Sequence, residues 1–160
     1  MLYAQLLKAD FERLPAALRS FHSKPGGGRA SGVVYVRHAS RWLARLAGFP
    51  HSGENIPMEL EVAAGENREV WIRRFGGCVR KSVQRRQGGL LLATAGPIRV
   101  LFRVVGDELG MRFECRGLRV LGIPLPLRVE GKVNGAESSW EFEVKVGRIG
   151  SYGGVMVPAP

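Results

Sequence analysis

The residues of this chain that could do chemistry are few. The histidines are His22, His38 and His51, and the thiols are Cys78 and Cys115. Acyl transfer needs a nucleophile beside a base that an acid orients. No Gly-x-Ser-x-Gly elbow supplies such a nucleophile. A zinc site needs three or four ligands at workable spacing. The two cysteines lie far apart without a CxxC, so the expectation is two reduced thiols, no metal and no cofactor. His22 closes a helical segment, where an imidazolium suits the helix dipole. With Tyr152, it is the candidate acid or base of an enzymatic reading. The carboxylate pairs Glu59/Glu61 and Glu141/Glu143 alternate with apolar residues. Period-two spacing puts each pair on a solvated face, without the apolar surroundings that a glycosidase-type acid requires.

The stretch EVWIRRFGGCVRKS at 69–82 holds one Trp, one Phe and four cations. It reads either as a nucleic-acid surface, with aromatics to stack bases, or as a strand, a Gly-Gly turn and a second strand. The alternation favours the hairpin. Glu69, Trp71, Arg73 and Phe75 share one face, and Val70, Ile72 and Arg74 the other. Neither face is purely apolar, which fits an edge, a rim or a covered strand. One of Arg73 and Arg74 then faces inward and needs a carboxylate, water or a ligand.

The net charge of +10 comes from 24 cations, 19 of them Arg, against 14 acids. A basic balance invites polyanions. Here, however, the cations are scattered, and the densest group, Arg80, Lys81, Arg85 and Arg86, is short. Arg99, Arg103, Arg112, Arg116 and Arg128 alternate with Glu114, Glu130, Glu141 and Glu143 in neighbouring strands, where opposite charges pair across a sheet. No specific nucleic-acid partner is expected. The run SKPGGGRASG lacks the GKS/T and the preceding strand of a phosphate loop, so it reads as a flexible connection.

The elements around these residues follow from periodicity. A chain of 160 residues with 45% hydrophobic content suits one folded domain. Residues 1–22 read as a helical cap that Pro15 interrupts, with Asp10 as a plausible N-cap. From residue 33 to 157 the period becomes two. A short amphipathic helix at 40–48 interrupts the strands, with Trp42, Leu43 and Leu46 as its apolar stripe. Ile98, Val100, Phe102 and Val104, then Met111, Phe113 and Cys115, make inward faces. Eight to ten short strands joined by glycine turns predict a mainly β fold. This is an antiparallel β-barrel or strongly curved meander, capped by the N-terminal helices, since closure removes both the bare edges and the exposed apolar face. No apolar run is long enough to span a membrane, and MLYAQLLKADFERL lacks the core of a signal peptide, so a cytoplasmic location is expected.

Several segments together resemble the bacterial domain of unknown function 4166 family. They are LYAQLLKADFERLPAALRSFH, WLARLAGFP with IPMELEV, EVWIRRFGG, LRVLGIPLPLRV and IGSYGGVMVP. The stretch after LGIPLP is shorter than the family pattern implies. The family has no established activity. Its fusions imply association with oxidoreductase-like or membrane domains.

The expected function is a non-catalytic binding module for a hydrophobic or amphipathic small molecule, set against the alternative that large side chains such as Phe102, Phe113 and Trp140 fill the interior. Trp71, Phe102, Phe113 and Trp140 would line its cavity, with His22 beside them. Arg73 or Arg74 would meet an anionic headgroup, and Trp42 would lie in a lid. The rivals are an accessory domain for an oxidoreductase partner, an enzyme acting on a hydrophobic substrate, and a non-specific polyanion binder. The helix RWLARLAGF also has the pattern of a peripheral membrane contact.

Overall fold

In the computed structural model, which describes residues 1–46 and 48–160 (the side chain of Leu46 excepted), the strands close on themselves. They are β1 (Gly27–His38), β2 (Gly53–Ala64), β3 (Arg68–Phe75), β4 (Cys78–Gln87), β5 (Leu90–Ala95), β6 (Ile98–Asp107), β7 (Gly110–Val120), β8 (Ile123–Pro124), β9 (Val129–Gly135), β10 (Trp140–Val146) and β11 (Gly150–Pro158). Each pairs antiparallel with its neighbour, except that the two-residue β8 is a spur on β7 and β9 takes its place in the wall. β11 then returns to β1 in unbroken register from Ala30↔Pro158 to His38↔Gly150. The result is a closed antiparallel barrel of ten strands.

The inward rows follow the sequence alternation. Val100, Phe102, Met111, Leu118, Trp140 and Met156 are buried, with Ile98, Val104, Phe113 and Cys115 packed beside them. The chain before β1 forms α1 (Leu2–Leu7), a 3-10 turn (Lys8–Arg13) and α2 (Ala16–Ser23). Pro15 sits at the N-cap of α2, where its missing N–H costs nothing. Asp10 caps no helix; it lies inside the 3-10 turn and pairs with Arg13 at 3.5 Å. Leu2, Tyr3, Leu7, Phe11, Leu18 and Phe21 from this segment are buried and plug one end of the barrel. Arg13 also pairs with Glu108, which pins the plug to the β6–β7 turn.

Two expectations change. The glycine-rich run at 23–32 is not a free connection, because β1 begins at Gly27, pairs with β2 from that residue and pairs with β11 from Ala30. A Cβ at Gly28 would stand 3.0 Å from the Phe21 ring, and one at Gly32 would collide with the Val155 carbonyl. The glycines therefore permit close approach of helix and strand rather than flexibility. The inserted helix, α3 (Arg41–Leu46), is shorter than 40–48. Residue 47, and the expected place of Leu46 in the stripe, lie outside the described residues.

Strand direction separates the barrel's two ends. The helical plug closes the end that carries the β2–β3, β4–β5, β6–β7 and β9–β10 turns. The opposite end carries the α3 connection, the β3–β4, β5–β6 and β10–β11 turns, and the β8 spur.

Candidate functional site

Inside the barrel, beneath the plug, is a cavity of about 240 Å³. Its wall is mostly apolar: Met58, Leu60, Phe102, Met111, Phe113 and Trp140. These come from strands β2, β6, β7 and β10, whose inward rows carry large side chains. The far side reaches Tyr152, whose ring stacks on Phe75 at 5.7 Å and meets Phe142 at 5.9 Å.

One patch of this wall is polar, and β3 and β4 build it with the plug. The inward row of β3 is Glu69, Trp71, Arg73 and Phe75; that of β4 includes Ser82 and Gln84. Tyr3 Oη donates to Gln84 Oε1 at 2.6 Å. Trp71 Nε1 donates to Glu69 Oε2 at 2.9 Å. Arg73 Nη1 donates to Ser82 Oγ at 3.1 Å, and its guanidinium lies over the Trp71 ring at 4.9 Å. His22 packs against Tyr3, with ring centroids 4.2 Å apart and the planes tilted by 41°. Its Nδ1 stands 4.0 Å from Glu69 Oε2, beyond hydrogen-bond reach.

The charges of this patch are set by burial. Desolvation lowers the His22 pKa to about 3, so the imidazole is neutral at physiological pH. Desolvation raises Glu69 to about 7 against the opposing hydrogen bond from Trp71, so this carboxyl is partly protonated near neutrality. The contact between His22 and Glu69 is therefore not an ion pair. Burial, and then the Glu69 charge, push Tyr3 well above the ordinary phenol range. That leaves Arg73 as the permanent charge. Arg73 takes part in none of the ion pairs among the described residues; its partners are a hydroxyl and an indole face.

The structure brings together six of the eight residues selected from the sequence. Trp71, Arg73, Phe102, Phe113, Trp140 and His22 line one cavity. Arg74 points outward, and its Nη1 donates to Glu61 Oε2 at 3.2 Å. Trp42 lies on α3 at the opposite end and is exposed. Sequence reasoning passed over Tyr3, Glu69, Ser82 and Gln84. Glu69 did carry a signal, since it shares the Trp71 face, and Ser82 and Gln84 alternate with Val83. Tyr3 is set inward only by the packing of α1 against the barrel. Elsewhere, His38 Nε2 lies 2.7 Å from the Pro50 carbonyl oxygen, and Cys78 and Cys115 are free thiols. Among the described residues, no group of three or more His, Cys, Asp or Glu could hold a metal, and no helix is long and apolar enough to cross a membrane.

The family model described as "Domain of unknown function (DUF4166)" matches residues 14–156. That span includes every cavity residue named above except Tyr3. No curated protein and no solved structure matches the chain.

Proposed function

The chain belongs to the DUF4166 family, and we propose that it is a non-catalytic binding module that holds an amphipathic small molecule, its apolar body in the barrel and its anionic head on Arg73. One observation carries this reading. The half-buried Arg73 guanidinium lines a mostly apolar cavity and, among the described residues, makes no ion pair; Glu143, which also lines the cavity, pairs with Lys145 instead. A charge removed from water is costly unless it is paired, and a carboxylate would use the guanidinium's remaining donors in a bidentate pair. The Glu69 carboxyl does not fill this role, because it is partly neutral and bonded to Trp71.

The cavity, about 240 Å³, is of the size that takes a small ligand, and a medium-chain carboxylate is a suitable probe of it. The chemistry of His22 supports binding over catalysis: an imidazole held near pKa 3 is a weak base at neutral pH. Tyr152 packs with Phe75 and Phe142, while His22 packs with Tyr3, Phe21 and Trp71.

The test is displacement of an anionic naphthalene-sulfonate dye by octanoate, followed by fluorescence. Octanoate should displace the dye from the unaltered protein. Arg73→Gln should weaken octanoate by roughly 10–100-fold, the worth of about 1.5–3 kcal/mol for a charged hydrogen bond. Arg74→Gln should leave it unchanged. Equal affinity in the two variants, or no octanoate binding, refutes the reading.

A further inference from the structure

The two ends of the barrel differ in charge. The connections at the plugged end carry Glu66, Glu108 and Glu137, and in the 3-10 turn Asp10 and Glu12 are offset by Lys8 and Arg13. The connections at the opposite end contain no Asp or Glu, and Glu54, at the start of β2 on this end, is paired with Arg37 at 3.5 Å. They carry Arg41 and Arg45 on α3, Arg128 before β9, and Arg148 in the β10–β11 turn. The scatter of cations along the chain thus becomes a basic pole once the barrel closes.

The same pole exposes large apolar side chains. Trp42 is 69% exposed, Leu121 79% and Ile123 62%. Leu121 is unusual in a second way. With Gly122 it forms the two-residue turn between β7 and β8, at φ 53° and 83°. Such a turn favours Asn, Asp or Gly at its first position, and a bulky residue there is strained. A leucine that is both strained and exposed weakens the turn and gains nothing from the folded chain alone. The spur around it, LGIPLP, holds no charged residue.

Exposed aromatic and aliphatic tips ringed by arginine form the pattern of a surface that enters a bilayer interface. Anionic headgroups complement the arginines, and the acyl boundary takes the apolar tips. Nucleic acid would leave Leu121 and Ile123 without a partner. We infer that the α3 and β8-spur end of this barrel docks on anionic phospholipid membranes, with Trp42, Leu121 and Ile123 inserted at the headgroup level. This inference does not rest on what the cavity holds.

Co-sedimentation of the full chain with vesicles tests it. Vesicles rich in phosphatidylglycerol should bind the protein, and binding should weaken at high salt. Vesicles of phosphatidylcholine alone should bind at least about tenfold more weakly. Leu121→Asn and Ile123→Ser should each reduce binding to the anionic vesicles by roughly tenfold, since each removes an inserted side chain. Asparagine accepts the left-handed backbone at 121, so the Leu121→Asn protein should keep its circular-dichroism melt, which separates lost docking from lost fold. Absence of binding to anionic vesicles at low salt overturns the inference, as does equal binding by both variants. A wild-type dimer that ignores vesicles and becomes monomeric on Ile123→Ser also overturns it, and assigns the pole to a second copy of the chain.

Discussion

Glu69→Gln isolates the one carboxyl among the described residues that the fold keeps from water. Glu69 is 2% exposed, and burial raises it from 4.5 to about 7. A raised carboxyl pKa means that the native state binds the proton more tightly than the unfolded chain. Stability is then fully present below pH 4.5 and is lost as pH rises through 7. At about 1.36 kcal/mol per unit, the loss attributable to Glu69 is about 3 kcal/mol between pH 4.5 and 8.5. His22 acts in the opposite sense. Its pKa is depressed to about 3, so its contribution is present above the unfolded value of 6.5 and is lost as pH falls toward 3. The two effects nearly cancel from pH 4.5 to 6.5, so the wild-type curve alone is a poor reporter. The variant removes this ambiguity. Glutamine keeps the shape and can still accept the Trp71 hydrogen bond, and it cannot ionise. Urea unfolding at pH 4.5 should give nearly equal stabilities for the two proteins. At pH 8.5 the variant should be more stable by about 3 kcal/mol, with unchanged m. A difference between the two proteins that does not vary with pH refutes the assignment of a buried, reluctant acid at 69.

The remaining predictions concern the plug and the barrel wall. Leu18→Ala should cost about 2–5 kcal/mol in urea unfolding, because Leu18 is 1% exposed at the junction of α2 with the cavity. Gly154→Ala should destabilise strongly, by about 2–3 kcal/mol or more, because its Cβ would collide with the Val33 carbonyl across the closing β1–β11 seam. Gly117→Ala on β7 meets no atom and should stay within about 0.5 kcal/mol of the wild type in the same assay.

Much of the wall was legible in the sequence. Ile98, Val100, Phe102 and Val104 alternate with Arg99, Leu101, Arg103 and Val105, and the barrel puts the first row inside. A strict two-residue period leaves only one way to bury such a strand. The cavity aromatics Trp71, Phe102, Phe113 and Trp140 were legible for the same reason. Glycine was the less readable residue. At 27–32 it looked like a linker, and in the barrel it is strand, because the same missing side chain permits both flexibility and close contact. The capping role read into Asp10 failed because the chain tightens there into a 3-10 turn.

By itself, then, the sequence determined the antiparallel wall, its helical cap and the rows that face one another, because alternation and turn residues are local properties of the chain. It also determined that Arg73 and Arg74 lie on opposite faces. Which of the two enters the barrel was decided only by the tertiary structure. Both faces of β3 are mixed, so local pattern is silent. The choice falls to β2 and β4, whose register places Leu60 and Arg80 beside Arg73, and Glu59 and Val79 beside Arg74. Closure decided the rest. Joining β11 to β1 gathers arginines distant in sequence onto one pole and seals Glu69 and His22 under the plug, and burial then moves both pKa values by restricting water's access to their charged forms.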